Sequence, residues 1–192
     1  HPQHKVTLSP YSLATTEVTQ AQWTIVASSA AGQARSLEIN PAREKGADHP
    51  VEQVSWCDAA RWLNALSTLE GLHPAYSVGD DCEQGGEVGW DLASPGFRFP
   101  TEAEWEYAVR AGTDTMFYSG PGDGSEGEHA ALDPIAWHAG NAGCVAHPVG
   151  LKAPNAWGLY DMSGNVWERV WDTAGAYRPA PVTGPPWRRR RW

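Results

Sequence analysis

The clearest hydrophobic pattern in the chain begins at Ser55 and has the period of an amphipathic helix. The apolar positions that share one face are Ala59, Trp62, Leu63 and Leu66. Ser55 and Asp58 have the spacing of an N-terminal cap, in which a hydroxyl accepts a hydrogen bond from a backbone N–H of the first turn. The pattern therefore predicts a helix that starts after Ser55 and ends before Gly71.

Two further helices are predicted from capping boxes, in which Ser or Thr precedes Glu or Gln by three residues. TQAQ at 19–22 leads into apolar residues and should begin a helix that stops near Gly32. TEAE at 101–104 follows a proline and should begin a helix that Gly112 ends. The acidic residues of this second box also suit the positive end of a helix, so the box needs no catalytic explanation.

Alternating apolar and polar residues predict short strands elsewhere. KVTLSPYSL at 5–13 has this alternation and is broken by Pro10, which is typical of an edge strand. Segments 76–78 and 88–90 flank a Gly85-Gly86 turn and predict a hairpin or a loop. Strands are also predicted at 135–137 and 166–171. Short strands and few helices indicate an irregular α+β fold.

The composition fits one loop-rich domain. The chain has 192 residues, with 11 Trp, 20 Gly and 15 Pro, so large aromatics are expected to fill the core. A net charge of -9 argues against a nucleic-acid partner, and no apolar run approaches the roughly 20 residues that span a bilayer. Residues 177–192 are rich in Pro and then Arg and are predicted to form a tail, leaving 1–176 as the domain.

The most unusual segment is NAWGLYDMSGNVWE at 155–168. Glycines give its backbone freedom, tryptophans give it rigid apolar mass, and Asp161, Asn165 and Glu168 supply oxygen atoms within a short stretch. Hard cations such as calcium bind about six to eight oxygen ligands, which a tight Gly-Asn turn flanked by carboxylates can supply. The alternative is that Asp161 caps a turn and Glu168 is a solvated strand residue.

Four segments in order resemble the formylglycine-generating enzyme family, also called the sulfatase-modifying factor family. They are EVTQAQW at 17–23, HPVEQVSWCDAARWLNALS at 49–67, RFPTEAEWEYAVRAG at 98–112 and the 155–168 segment. The resemblance implies a C-type-lectin-like fold with short antiparallel strands and long loops. It also implies structural calcium and, in active members, a copper-bound cysteine pair that oxidises a sulfatase cysteine.

The resemblance implies particular metal ligands. Asp161 and Glu168 match family positions that bind calcium through side-chain oxygens, and Gly164 and Val166 match positions that bind it through backbone carbonyls. Asn141 is a weaker candidate for a second ion site by analogy. The family usually continues this motif with Trp, whereas Arg169 follows Glu168 here. Strand alternation predicts that Arg169 points away from the metal side.

The family's catalytic cysteines have no counterpart among the three cysteines of this sequence. In the family they follow a Gly-Gly-Ser-aromatic motif downstream of the 155–168 segment, whereas the cysteines here are Cys57, Cys82 and Cys144. Each is expected to be a buried small side chain or part of one structural disulfide. Copper binding is therefore expected only if further C-terminal cysteines are supplied, as in a longer chain of which this one is an incomplete part.

Two functions follow from these observations. The first is a formylglycine-generating-enzyme-like domain without its catalytic cysteine pair, whose partner would be a sulfatase-like peptide or protein. The alternative is a non-catalytic, lectin-like module that displays loops to a ligand. A monomer is expected in either case, and a secreted or periplasmic location is favoured over a cytoplasmic one. A third possibility is a fragment with no independent function.

Overall fold

The structure, a computed structural model, describes residues 6–122 and 130–172. Its helices are α1 (Gln20–Ser28), α2 (Ala30–Gln33), α3 (Trp56–Leu69) and α4 (Glu102–Arg110), and a 3-10 turn covers Cys82–Gln84. Two strands, β1 (Tyr76–Val78) and β2 (Val88–Trp90), form a two-stranded antiparallel sheet. Loops make up most of the remaining described chain, so the predicted irregular α+β architecture is confirmed. The predicted tail at 177–192 lies outside the described residues.

The predicted helix starts are confirmed. Capping boxes begin α1 at Thr19 and α4 at Thr101, with both reciprocal hydrogen bonds formed in each. The Ser55 hydroxyl accepts from the Asp58 N–H at the start of α3. Cap side chains satisfy backbone donors that would otherwise have no partner within the helix. Local sequence therefore sets where these three helices begin.

The first helix ends earlier than the sequence predicts. Ser29 is extended, its hydroxyl accepts from the Gly32 N–H, and the short helix α2 starts after it. Gly32 consequently lies inside α2 instead of ending α1. A Cβ at Gly32 would lie 2.3 Å from the Val26 carbonyl oxygen, so glycine is required by close packing between the two helices.

The hairpin is confirmed, with Tyr76 opposite Trp90 and Val78 opposite Val88. A disulfide between Cys57 and Cys82 ties the start of α3 to the segment between the two strands. Stacked and tilted aromatic rings pack around this tie, formed by Trp56, Tyr76, Trp90, Phe99 and Trp171. This cluster holds the 166–172 segment against α3 and the hairpin.

Three predicted strands do not form: none of 6–13, 135–137 and 166–171 is a strand. The backbone N–H groups of Ile135 and Ala136 bond to the Leu132 carbonyl in a turn. Segment 166–171 makes scattered contacts with other elements, such as the Trp171 N–H to the Pro100 carbonyl at 2.9 Å. Alternation reflects packing on two sides of these segments, but a ladder needs a partner strand that the surrounding loops do not provide.

A second core region lies between α1 and α3, where the Trp23 and Trp62 rings stack with centroids 5.5 Å apart. This packing supports the segment before α1, which is also bridged to Pro50 through Thr19. Within residues 6–122 and 130–172, no helix has both the length and the apolar content needed to cross a bilayer.

Candidate cation site

The 155–168 segment is anchored to the end of α4 by Asn155. Its amide nitrogen donates to the Ala108 carbonyl at 2.8 Å, and its amide oxygen accepts from the N–H groups of Trp157 and Leu159. Asn155 is buried, so these hydrogen bonds are shielded from water. The segment therefore starts from a fixed position beside the helix.

Asp161 is the most buried acid of this segment, with 1% of its surface exposed and a left-handed φ of 58°. One carboxylate oxygen accepts from the Gly150 N–H at 2.6 Å. Its other oxygen, Oδ1, is buried and meets no hydrogen-bond donor among the described residues. Burial raises the pKa of Asp161, because a desolvated carboxylate is unfavourable.

Gly164 and Asn165 shape the turn between the two predicted carboxylate ligands. A Cβ on Gly164 would lie 2.2 Å from the Trp137 carbonyl oxygen, and the Asn165 N–H donates to that same oxygen at 2.8 Å. The Asn165 side chain bonds to both the N–H and the carbonyl of His147. The turn is therefore held against the 137–147 loop, and its close approach requires a glycine.

Glu168 lies beside α4, where its carboxylate accepts from the Trp105 indole N–H. The residue as a whole is exposed, yet its carboxylate is the part that packs inward. Burial of that carboxylate and, to a lesser extent, the nearby Asp161 charge raise the pKa of Glu168 to about 7. Arg169, as predicted, lies at the surface, where its guanidinium donates to the Val54 carbonyl at 3.3 Å.

Glu17 joins this group, although sequence reasoning did not identify it. Both of its carboxylate oxygens are buried and have no hydrogen-bond partner in the described chain. Burial, followed by the charges of Asp161 and Glu168, raises its pKa to about 8. The Asn165 amide and the Glu17 backbone N–H partly oppose this rise, although neither reaches hydrogen-bond geometry.

The position of Glu17 is set by backbone contacts on both sides of it. The Tyr160 N–H donates to the Thr15 carbonyl at 2.9 Å, and the Val51 N–H donates to the Val18 carbonyl at 2.9 Å. The signal in the sequence is the EVT motif directly ahead of the α1 cap, which contributes to the family resemblance. Periodicity could not find Glu17, because the contact joins distant parts of the chain.

Three acidic groups that repel one another, two of which (Glu17 and Asp161) have unpaired buried oxygens, need a proton or a cation. A proton on Glu17 could be shared with Asp161, since these side chains are close enough to hydrogen-bond when one is protonated. No set of three or more acidic, histidine or cysteine side chains in the described residues is arranged to hold a metal ion. A cation here would therefore also need backbone oxygens, and those of Gly164 and Val166 accept no hydrogen bond from described residues.

Asn141 is placed differently from the other predicted ligands. Its amide oxygen accepts from the His138 N–H at 2.8 Å, and its amide nitrogen donates to Asp133 and to the Ala136 carbonyl, both at 3.1 Å. These hydrogen bonds organise the 133–141 loop. Asn141 as a ligand of a second ion stays a prediction, and its oxygen is already used by a backbone donor.

The cysteines are not arranged as a metal-binding pair. Cys57 and Cys82 form a disulfide and are both buried, whereas Cys144 is free and exposed. Because the sequence contains three cysteines, one thiol is left. Soft copper binding by two thiolates is therefore not available from these residues.

Comparisons with known proteins identify the family of this chain. The profile of the sulfatase-modifying factor enzyme 1-like domain matches residues 1–184. Chaperone protein LppX of Paenibacillus barcinonensis is 32% identical over 194 residues, covering 87% of this chain and 64% of LppX. The formylglycine-generating enzyme of Mycobacterium tuberculosis is 32% identical over 145 residues, covering 67% of this chain and 46% of that enzyme.

The solved structure of Treponema denticola variable protein 1 is similar, with a TM-score of 0.67 and 32% identity over 86% of this chain and 63% of that one. The chain thus spans less than two thirds of these relatives. The motifs, the irregular fold and the profile match agree along nearly the whole sequence. This chain belongs to the sulfatase-modifying factor enzyme 1-like domain family.

Proposed function

We propose that this domain is a non-catalytic member of its family that binds a peptide or protein through its loops. We further propose that a calcium ion stabilises it, held by the carboxylates of Glu17, Asp161 and Glu168 and the carbonyls of Gly164 and Val166. The observation that carries the first proposal is the buried Cys57–Cys82 disulfide, because it removes two of the three cysteines from any redox or copper chemistry.

The cysteines of this sequence support binding over catalysis. Copper-dependent oxidation of a substrate cysteine requires two thiolates close together to hold the copper ion. Cys144 is the one free thiol in the sequence, and it lies exposed in a loop. Copper would bind in the family's manner only if further cysteines were supplied by additional chain.

Exposed aromatic side chains support a binding role. Trp167 is 74% exposed, and Trp157 is 46% exposed with its ring 4.8 Å from that of Tyr107. Exposed Trp and Tyr combine a large apolar contact area with a hydrogen-bonding group, as in many interfaces. The similarity to a protein named as a chaperone also supports binding to another protein over chemistry on it.

The proposed calcium ion would link the beginning and the end of the domain. Glu17 precedes α1, whereas Asp161 and Glu168 lie in the last described segment. Calcium would neutralise repulsion between the three carboxylates and supply the partner that the buried oxygens of Glu17 and Asp161 lack. The metal is therefore proposed as a structural element, with no part in a reaction.

A secreted or periplasmic location fits the disulfide, since such bonds persist in oxidising compartments.

The test of the proposed function uses the whole chain in two assays. One incubates it with Cu(I), oxygen and a CxPxR peptide and measures aldehyde by mass spectrometry; the other screens a peptide array. We expect array binding and no aldehyde. Aldehyde formation above a protein-free control would overturn the non-catalytic proposal.

A further inference from the structure

A cavity of about 350 Å³ is lined by two arginines, in contrast to the carboxylate site. It is bounded by the turn after α2, by α3 and by the end of β1. Arg35 and Ser36 come from the turn, Arg61 comes from α3, and Asp80 follows β1. Three separate elements therefore bring two guanidinium groups and one carboxylate to the same polar cavity.

Arg61 is the fixed member of this group. Its side chain is 18% exposed, lies 3.2 Å from the Asp58 carboxylate and 4.0 Å from that of Glu83, and donates to the Gly79 carbonyl. These neighbours hold the guanidinium in position and offset most of its charge. Arg61 therefore shapes the wall of the cavity more than it attracts a ligand.

Arg35 differs from Arg61 because no acid balances it. Its guanidinium donates to the Ala31 carbonyl at 2.9 Å and to the Thr68 hydroxyl at 3.4 Å. Among the described residues, no acidic side chain lies within ion-pair distance of Arg35. A guanidinium has more N–H donors than these two contacts use, and its flat fork suits a carboxylate.

Asp80 and Ser36 supply the remaining free polar groups. Asp80 is exposed, and neither its carboxylate nor the Ser36 hydroxyl hydrogen-bonds to a described residue. By contrast, the Asn64 amide nitrogen donates to the Tyr76 carbonyl at 2.7 Å and its amide oxygen accepts from the Tyr76 N–H at 3.1 Å, so both atoms already have a partner. The cavity therefore offers spare cationic donors at Arg35 and a spare carboxylate at Asp80.

We propose that this cavity binds a small zwitterion of the free amino acid class. The ligand carboxylate would pair with Arg35, and its ammonium group would pair with Asp80. Cavities of this size lie near the lower end of those that hold small molecules, and the polar lining disfavours an apolar ligand. The site shares no residue with the proposed calcium site, so either can be absent while the other is present.

The experiment titrates the uniformly ¹⁵N-labelled full chain with glycine, L-serine and L-glutamate and follows the Arg35 side-chain N–H signal. N-acetylglycine lacks the ammonium group and glycinamide lacks the carboxylate, so both serve as comparison ligands. We expect at least one amino acid to saturate the signal below about 20 mM. We expect both comparison ligands to bind it at least about tenfold more weakly, one lost charge pair costing about 1.4 kcal/mol.

Two variants test the assigned roles. Arg35→Gln should weaken amino acid binding at least about tenfold. Asp80→Asn should weaken it similarly while leaving the affinity for N-acetylglycine unchanged, and its lack of structural partners should preserve folding. The control Arg110→Gln changes an exposed arginine that pairs with Glu106 on α4 and should bind like the parent chain. For these variants binding is followed through the backbone amides of the cavity, with folding checked by thermal unfolding.

Two results would overturn the proposal. The first is the absence of a saturable shift for all three amino acids at about 20 mM. The second is unchanged affinity in folded Asp80→Asn together with equal binding of glycinamide, N-acetylglycine and the amino acids. Neither result depends on calcium or on aldehyde formation, so failure here is distinguishable from failure of the proposed function.

Discussion

Glu17 and Asp161 come from opposite ends of the described chain, and both present buried carboxylate oxygens without a hydrogen-bond donor. The pKa of both carboxyl groups is raised, for different reasons. Burial and then the Asp161 charge raise the pKa of Glu17, whereas burial raises the pKa of Asp161. Such a pair is unstable as two bare charges. Its stability must therefore depend on what occupies the space between the oxygens, a proton or a metal ion.

The first prediction concerns Glu17→Gln. Without calcium and above about pH 8, where Glu17 is ionised, the substitution removes one of three mutually repelling charges and should raise the Tm by a few degrees, since about 1 kcal/mol corresponds to ~2–4 °C at this size. In millimolar calcium it should remove at least about half of the calcium-induced rise in Tm, because a charged ligand is lost. Thermal unfolding with calcium and with chelator measures both effects.

The matched control is Glu38→Gln, which removes a charge from an exposed residue outside the cluster. It should leave the calcium-induced rise in Tm unchanged. If Glu17→Gln and Glu38→Gln respond to calcium alike, Glu17 is not a ligand. If neither the parent chain nor the control responds to calcium at all, the proposed calcium site is wrong as a whole.

The second prediction is a pH dependence of stability. The pKa of Glu17 is raised from 4.5 to about 8 and that of Glu168 from 4.5 to about 7. Folding therefore favours their protonated forms, and this contribution is fully present below about pH 4.5 and is lost as the pH rises through 7 and 8. In the presence of chelator, the Tm should fall between pH 5 and pH 8.

Calcium should reverse this trend, because it binds the ionised carboxylates and competes with protons. The calcium-induced rise in Tm should therefore grow from pH 5 to pH 8, and a series of unfolding curves at fixed calcium measures it. In the presence of chelator, Glu17→Gln should reduce the fall in Tm between pH 5 and pH 8. If the Tm measured with chelator rises steadily from pH 5 to pH 8, the assigned pKa directions are wrong.

The sequence predicted those features that local chemistry decides. The capping boxes at Thr19 and Thr101 and the cap at Ser55 placed the helix starts correctly, because these hydrogen bonds lie within one turn. The end of α1 was predicted wrongly, since Ser29 formed a second local cap that the helical period does not reveal. The strand predictions at 6–13, 135–137 and 166–171 were wrong for a different reason, because the hydrogen bonds of a strand depend on a partner strand that is distant in sequence.

The candidate site divides in the same way. Asp161, Gly164, Val166 and Glu168 lie within one motif, and the family resemblance predicts them as ligands; that assignment stays a prediction. Glu17 lies far away in sequence, and its meeting with Asp161 depends on the fold, so no spacing rule indicates it. The cavity at Arg35 and Asp80 likewise brings together three elements whose individual sequences look like ordinary polar surface.

The third prediction concerns Gly164→Ala. The added Cβ would lie 2.2 Å from the Trp137 carbonyl oxygen, and that oxygen also accepts the Asn165 N–H, so the turn must shift. We expect a loss of about 1–3 kcal/mol in the free energy of unfolding and a weaker response to calcium. Gly89→Ala is the matched control, because its Cβ would lie at an ordinary 3.5 Å from Ser77. Equal stability of both variants in denaturant titrations would mean that the turn tolerates a side chain.

The last prediction concerns the disulfide between Cys57 and Cys82. Cys57 and Cys82 are 25 residues apart, so the loop-entropy argument assigns the bond about 3–4 kcal/mol of stability. The double variant Cys57→Ala with Cys82→Ala should lower the free energy of unfolding by about that amount, whereas Cys144→Ser should change it by less than about 0.5 kcal/mol. Urea titrations of the three proteins measure the difference. If the double variant is as stable as Cys144→Ser, the bond is not structural, and its thiols would again be candidates for redox chemistry.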